Sequence, residues 1–141
     1  VIDLKEAVDK EEFFQLISSS ISQELGCGER EIFKKLKSRE EESSTVIMPY
    51  LAIPHIILTG EKKFGITLVR ARQGVHFSEE YPSVKTIFVI AGTKDERQFH
   101  LQALAAIAQI VQSPDFQKRW EKANNAASLR DVVVLADRSR H

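Results

Sequence analysis

Residues 84–91 read VKTIFVIA, a nearly unbroken apolar run that Gly92 follows. A short run of this kind, bounded by a glycine, is typical of an interior strand that is covered on both faces. Elements on both faces of a sheet are usually helices, so the run indicates an α/β arrangement rather than an exposed hairpin. We therefore predict an interior strand over 84–91, and the rest of the chain is interpreted around it.

Three further strands are predicted from the residues that precede this run. Residues 64–71 combine β-branched side chains with alternation of apolar and polar positions, which is the period of a strand. Two shorter apolar pieces, 45–48 and 51–53, are stopped by Pro49 and Pro54 because proline cannot donate a ladder hydrogen bond. The middle of the chain is thus predicted to form one central sheet.

Helices are predicted on both sides of the strand region. Asp9 and Glu12 have the spacing of a capping box, and apolar residues at helical spacing continue to Leu25, before Gly26 and Gly28. A second helix is predicted to begin near Glu29 and to end between Arg39 and Glu42. After the strands, 96–111 carries a wide apolar stripe, and Pro114 indicates the start of another helix. The last segment, 129–137, is left open between helix and strand, because Ser128 resembles an N-cap whereas Val132–Val134 favours a strand.

Length and composition favour one domain over residues 1–141. The 141 residues include 20 Lys and Arg against 20 Asp and Glu, and this neutral balance argues against a general nucleic-acid binder. The single cysteine, Cys27, cannot form an internal disulfide, which favours a reducing compartment and a cytoplasmic location. We see no signal peptide, and the longest apolar helical stretch is far shorter than the roughly 18 residues that a membrane span requires. The chain begins at Val1, which is compatible with a domain of a longer protein.

The residues around His55 have the side chains that nucleophilic chemistry on phosphorus requires. Pro54 fixes the backbone before His55 at the predicted end of a strand, where a strand gives way to a loop and open sheets place ligand sites. A neutral imidazole is a good nitrogen nucleophile if a backbone carbonyl holds its other ring nitrogen. Arg39 can neutralise a phosphoryl group through two parallel hydrogen bonds, and Ser44 and Thr45 can add hydroxyl or backbone donors.

Each of these residues also has a more ordinary interpretation. A lone histidine at a strand end is usually structural or solvated, Arg39 lies in a charged helix terminus, and Ser44-Thr45 reads as a loop. His76 is predicted to be a surface residue in a turn between strands. A zinc site formed by His55, His76 and His100 is conceivable, but no pair at helical spacing supports it.

Taken together, the pieces resemble the mannitol/fructose-class IIA domains of the bacterial sugar phosphotransferase system, which include the nitrogen-regulatory IIA proteins. The shared pattern is R-E-x-x-x-S-T-x-x-x-x-x-x-A-I-P-H, and it runs here without a gap from Arg39 to His55. Downstream, the strand pair over 64–72 and 84–92 and a histidine that opens an apolar helix, His100, match the family. The segment Ser113-Pro114-Asp115-Phe116 matches it loosely.

The resemblance implies both a fold and a function. The fold is α/β, a central mixed β-sheet flanked by helices on both faces. His55 would accept a phosphoryl group from the phosphocarrier HPr and pass it to a IIB domain, or hold it as a regulatory signal. His100 would contact or shield the phosphoryl group, Arg39 would offset its charge, and Ser44 and Thr45 would bind it. The resemblance implies no metal or organic cofactor, because positioning and charge neutralisation suffice for phosphoryl transfer.

The chain departs from the family beside the histidine. Small residues, often glycines, are usual there, whereas this chain has Met48, Pro49, Tyr50 and Ile56-Ile57. Bulky side chains would narrow the site or alter the docking of HPr. An alternative function therefore stays open: a regulatory IIA-like module that is attached to, or controls, a membrane transporter or exchanger without passing the phosphoryl group on.

Overall fold

The computed structural model describes residues 1–134 as one seven-stranded mixed sheet with five helices. Their bounds, in chain order, are β1 (Ile2–Leu4), β2 (Val8–Asp9), α1 (Lys10–Leu25), α2 (Glu29–Glu42), β3 (Val46–Met48), β4 (Leu51–Ala52), β5 (His55–Leu58), β6 (Phe64–His76), β7 (Val84–Thr93), α3 (Arg97–Gln112), α4 (Phe116–Lys122) and α5 (Ala126–Val134). A short 3-10 turn, Lys94–Glu96, joins β7 to α3. The α/β class and the mixed sheet that we predicted are confirmed.

Strand β7 lies in the interior of the sheet. It pairs antiparallel with β6 on one side and parallel with β4 and β5 on the other. The strands β1 and β2 pair parallel with β6, and β3 pairs antiparallel with β4 at the opposite edge. The predicted interior strand is therefore confirmed, although it runs on through Gly92 to Thr93.

The two faces of the sheet are covered by different helices. Ile87 and Val89 of β7 pack into the core that α1 and α2 cover, with Phe13, Phe14 and Ile17 of α1. The intervening Phe88 and Ile90 belong to the core under α3, α4 and α5. Alternate side chains of an extended strand point to opposite faces, so one apolar run contributes to both cores.

The helix ends follow the residues that were predicted to make them. The Asp9 carboxylate accepts from the backbone N–H of Glu12 at 2.8 Å, and Glu12 accepts in return from the Asp9 N–H at 3.3 Å. At the other end of α1, Gly26 adopts φ 72°, a left-handed conformation that costs glycine little. Helix α2 begins at Glu29 and ends at Glu42. The open segment at 129–137 is helical up to Val134, and its remainder lies outside the described residues.

A buried ion pair links β1 to the neighbouring strand β6, and its arginine also contacts α4. Arg70 of β6 is 4% exposed and donates to both carboxylate oxygens of Asp3, at 3.0 and 2.7 Å. Its guanidinium also donates to the carbonyl of Trp120 near the end of α4, at 2.9 Å. The two guanidinium groups of Arg70 and Arg72 hold the pKa of the Asp3 carboxyl well below its usual range, against the opposing effect of burial.

Candidate functional site

His55 is the first residue of β5, whereas we predicted that it lies just after a strand, where the strand gives way to a loop. The strand β5 runs parallel to β7, with His55 opposite Ile90. Pro54 interrupts the pairing with β7 only briefly. Its carbonyl still accepts from the Ile90 N–H at 2.9 Å, and pairing with β7 resumes at His55. The imidazole is therefore carried by a paired strand, which fixes its backbone more firmly than a loop would.

The orientation of the His55 ring is set by the residue two positions earlier. Its Nδ1 lies 3.0 Å from the carbonyl oxygen of Ile53. A carbonyl only accepts hydrogen bonds, so Nδ1 carries the proton and donates it. In the neutral ring the lone pair then remains on Nε2, the nitrogen on the other side of the ring. The ring is half-buried, which keeps it in place without sealing it from solvent.

His100 lies beside His55, although the two are far apart in the sequence. It is in the first turn of α3, and its ring meets that of His55 edge to face, with 5.5 Å between centroids. His100 is only 7% exposed, and its buried Nδ1 has no hydrogen-bond partner within residues 1–134. Burial lowers the pKa of His100 below its ordinary value, and the neighbouring His55 adds to the effect.

Arg39 and His55 line the same concavity, an open depression of about 330 Å³ between α2 and β5. Arg39 is in the last turn of α2, and its Nη1 donates to the carbonyl of Ser43 at 3.0 Å and to the Ser43 hydroxyl at 3.2 Å. Its Nε and Nη2 make no hydrogen bond within residues 1–134. One edge of the guanidinium is thus anchored, and the other offers two donors with the geometry of a bidentate anion contact.

Lys35 and Glu42 also line this concavity. Lys35 precedes Arg39 by four residues, so the two cations share one face of α2. The Lys35 ammonium donates to the carbonyl of Ile57 in β5 at 2.6 Å. Neither Lys35 nor Ser43 was singled out from the sequence. Helical spacing from Arg39 could have pointed to Lys35, whereas nothing in the sequence indicates the Ser43 contact.

The two predicted phosphoryl-binding residues Ser44 and Thr45 differ in what they can offer. Thr45 is buried, its hydroxyl donates to the Glu40 carboxylate at 2.6 Å, and its N–H donates to the same carboxylate at 3.1 Å. In this arrangement the donors of Thr45 are in use, so Thr45 shapes the loop. The exposed Ser44 hydroxyl accepts from the Val46 N–H at 3.1 Å, which leaves its own proton available.

The bulky residues that replace the family's small ones point in different directions. The Ile56 side chain is 4% exposed and packs into the core beneath α1 and α2, although Ile56 also lines the concavity. Ile57 and Tyr50 are 44% and 39% exposed. Phe99 and Leu101, the neighbours of His100, are each 54% exposed. Large apolar side chains therefore stand at the surface next to both histidines.

The remaining histidine of the described chain does not join the site. His76 is exposed and is the last residue of β6, paired with Asp9 of β2, and so it does not lie in a turn as predicted. Among residues 1–134, no three His, Cys, Asp or Glu side chains come together as metal ligands would. None of the helices in this part of the chain is both long and apolar enough to cross a membrane.

Comparisons with known proteins identify the family of this chain. The family model described as "Phosphoenolpyruvate-dependent sugar phosphotransferase system, EIIA 2" matches residues 1–134. A nitrogen regulatory protein of Bradyrhizobium diazoefficiens is 28% identical over 128 residues, which cover 89% of this chain and 83% of that protein. The mannitol-specific phosphotransferase enzyme IIA component of Bacillus subtilis is 29% identical over 129 residues, covering 89% of this chain and 85% of that protein.

Solved structures share the fold at lower identity. The nitrogen regulatory protein IIA-Ntr of Neisseria meningitidis superposes with a TM-score of 0.82 at 22% identity, over 94% of this chain and 92% of that one. The mannitol enzyme IIA of Escherichia coli, solved in complex with phosphorylated mannitol enzyme IIB, gives a TM-score of 0.75 at 18% identity, over 94% and 93% of the two chains. The fold and the family predicted from the sequence are confirmed, and the chain belongs to the EIIA 2 family of the phosphoenolpyruvate-dependent sugar phosphotransferase system.

Proposed function

We propose that this chain is a phosphocarrier whose His55 accepts a phosphoryl group on Nε2 from an HPr-type protein. It then passes the group to a IIB domain or holds it as a regulatory signal. The observation that carries the proposal is the hydrogen bond from His55 Nδ1 to the Ile53 carbonyl, 3.0 Å long. It leaves Nε2 as the nucleophilic nitrogen beside a concavity that Arg39 also lines. The assignment of Arg39, His100 and Ser44 to this site is part of the proposal, whereas Thr45, whose donors are bonded to Glu40, is assigned only the role of shaping the loop.

The chemical step needs only groups that this site already holds. The Nε2 lone pair forms a bond to phosphorus while the bond between phosphorus and the donor atom breaks, and that electron pair leaves with the donor. The proton on Nδ1 stays in place, so the phosphorylated ring becomes positively charged. The Ile53 carbonyl stabilises that charge through the hydrogen bond it already accepts. Arg39 offsets the negative charge of the phosphoryl oxygens, as the loose transition state of phosphoryl transfer requires.

Neutral His100 suits the role of a shield. Its lowered pKa favours the uncharged ring at neutral pH, which can donate one hydrogen bond to a phosphoryl oxygen. Its buried Nδ1 has no partner among residues 1–134, and an oxygen of a phosphoryl group on His55 is the partner that this function assigns to it. Because the two rings are 5.5 Å apart, His100 can cover one side of a group on His55 while the concavity stays open on the other.

The proposed partners are proteins rather than small molecules. Exposed apolar side chains at Ile57, Phe99 and Leu101 stand next to the two histidines, as expected of a surface that docks another protein. The mannitol enzyme IIA of Escherichia coli forms a complex with phosphorylated enzyme IIB. By analogy, a IIB domain is the proposed acceptor and HPr the proposed donor, and the cytoplasm is the location that we propose for the chain with these partners.

The direct test is to incubate the protein with enzyme I, HPr and labelled phosphoenolpyruvate. We expect acid-labile label on the wild type and none on His55→Ala. The matched control is His76→Ala, which removes an exposed histidine outside the site and should retain full labelling. Absence of label under conditions that charge an established IIA domain would refute the phosphocarrier proposal, and so would undiminished labelling of His55→Ala.

A second candidate function is favoured by the side chains that replace the family's small residues. Ile57, two residues after His55, is 44% exposed and lines the concavity. A bulky apolar side chain beside the histidine suits a regulatory module that binds a transporter or exchanger without passing the phosphoryl group on. Label that reaches His55 but is not discharged by any IIB domain would support this function over the carrier function.

A further inference from the structure

The site contains a second cation that the family pattern did not single out. Lys35 lines the concavity with Arg39 and His55, one helical turn before Arg39 on the same face of α2. Its ammonium donates to the carbonyl of Ile57, two residues after His55 in β5. That contact holds the charged end of Lys35 over the strand that carries the nucleophile.

The surroundings leave this ammonium free to bind an anion. An ammonium has three N–H donors, and the Ile57 carbonyl takes one of them. Its acidic neighbour Glu31 is 3.9 Å away, beyond hydrogen-bond distance, and the same carboxylate oxygen accepts from the Thr59 hydroxyl. Lys35 is therefore only loosely paired, and two of its donors have no close acceptor within residues 1–134.

The charge balance of the concavity shows why a second cation matters. Arg39 contributes one positive charge and Glu42 one negative charge, so without Lys35 the charged side chains that line the depression would cancel. A phosphoryl group brings close to two negative charges at neutral pH. With Lys35 the depression carries a net positive charge, which favours the phosphorylated state of His55 and attracts the anionic donor.

We propose that Lys35 is a second phosphoryl-binding cation of this site, acting with Arg39 on the group carried by His55. The inference rests on the proposed function. It assigns to Lys35 a charge role, which goes beyond the structural role of holding α2 to β5. The two roles separate experimentally, because glutamine keeps a donor for the Ile57 carbonyl but has no charge, whereas arginine keeps the charge.

The test uses phosphoramidate as the phosphoryl donor, so that protein docking does not enter the rate. Phosphorylation of the peptide that contains His55 is followed by mass spectrometry in wild type, Lys35→Gln, Lys35→Arg and the matched control Lys34→Gln. Lys34 is exposed on the same helix, and its substitution makes the same change in net charge. Thermal unfolding of each variant verifies that the fold is retained.

We expect Lys35→Gln to slow phosphorylation of His55 about tenfold at low salt, the size expected of one partly exposed charge. The difference should shrink as the salt concentration rises, because ions screen such interactions. Lys35→Arg should stay close to wild type, and Lys34→Gln should match wild type.

Normal phosphorylation of wild type together with equal rates for Lys35→Gln and Lys34→Gln would overturn the role of Lys35 alone. A rate for Lys35→Arg as low as that for Lys35→Gln would also overturn it, because charge would then not be the property that matters. Failure of wild-type His55 to react with any phosphoryl donor would overturn the proposed function as well.

Discussion

Replacing Arg39 by alanine should slow phosphorylation of His55 by about 10²-fold, and the structure sets this magnitude. Removing one preorganised donor from a dry site costs about 10²–10³ in rate. The concavity here is open and Arg39 is half-buried, so water can partly replace the lost charge and the lower end applies. The Ser43 contacts at 3.0 and 3.2 Å hold the guanidinium before any phosphoryl group arrives, and a preorganised donor contributes more than a mobile one.

The assay is the initial rate of label transfer from phosphorylated HPr, measured below saturation. Arg30→Ala is the matched control, because Arg30 is an exposed arginine in the first turn of the same helix. Ser43→Ala should slow transfer by less than Arg39→Ala, since it loosens the guanidinium without removing it. A rate for Arg39→Ala equal to that of Arg30→Ala would refute this reasoning and leave Arg39 as a helix-end charge that only caps α2.

The structure also predicts the effects of perturbations at and beyond the site. Asp3→Ala leaves Arg70, 4% exposed, without its carboxylate, and should lower stability by roughly 3 kcal/mol in a urea titration. Because the pKa of Asp3 is lowered on folding, the stability that its carboxylate contributes is fully present above pH 3.8 and is lost as the pH falls further. The difference in stability between wild type and variant should therefore shrink in acid. Gly74→Ala should also lower the urea midpoint, since φ is 87° and the new Cβ would lie 2.1 Å from the Ser83 hydroxyl; an unchanged midpoint would contradict the strained geometry. The pKa of His100 is lowered on folding, so the stability of the protein should fall as the pH drops below 6.5. His100→Gln should remove this pH dependence of stability, and an unaltered profile would mean that another group titrates.

The elements that the sequence predicted well are those with strong local signals. The capping box of Asp9 and Glu12 and the helical spacing after it locate α1, and the apolar run of β7 locates the interior strand. The strands β1 and β2 were missed because they have three and two residues, too few to show a period, and they exist through pairing with β6. The strand β5 was missed because a proline such as Pro54 usually ends a strand, whereas here β7 supplies partners on both sides of it.

The site was predicted less completely than the fold. His55 and Arg39 were proposed from their chemistry, but His100 came only from the resemblance to the family, since no local pattern brings a strand and the start of a distant helix together. The structure places His100 against His55 and places Arg39 in the same concavity as His55. Residue type alone does not reveal three side-chain contacts of the site. They are the hydrogen bonds of Thr45 to Glu40, of Arg39 to Ser43, and of Lys35 to Ile57.

The most direct test of the account is to identify which nitrogen carries the phosphoryl group. The protein, labelled with ¹⁵N-histidine, would be phosphorylated through HPr and examined by NMR for phosphorus–nitrogen coupling within the His55 ring. The hydrogen bond from Nδ1 to the Ile53 carbonyl predicts a phosphoryl group on Nε2, with Nδ1 still protonated. A phosphoryl group on Nδ1, or on a histidine other than His55, would contradict the account.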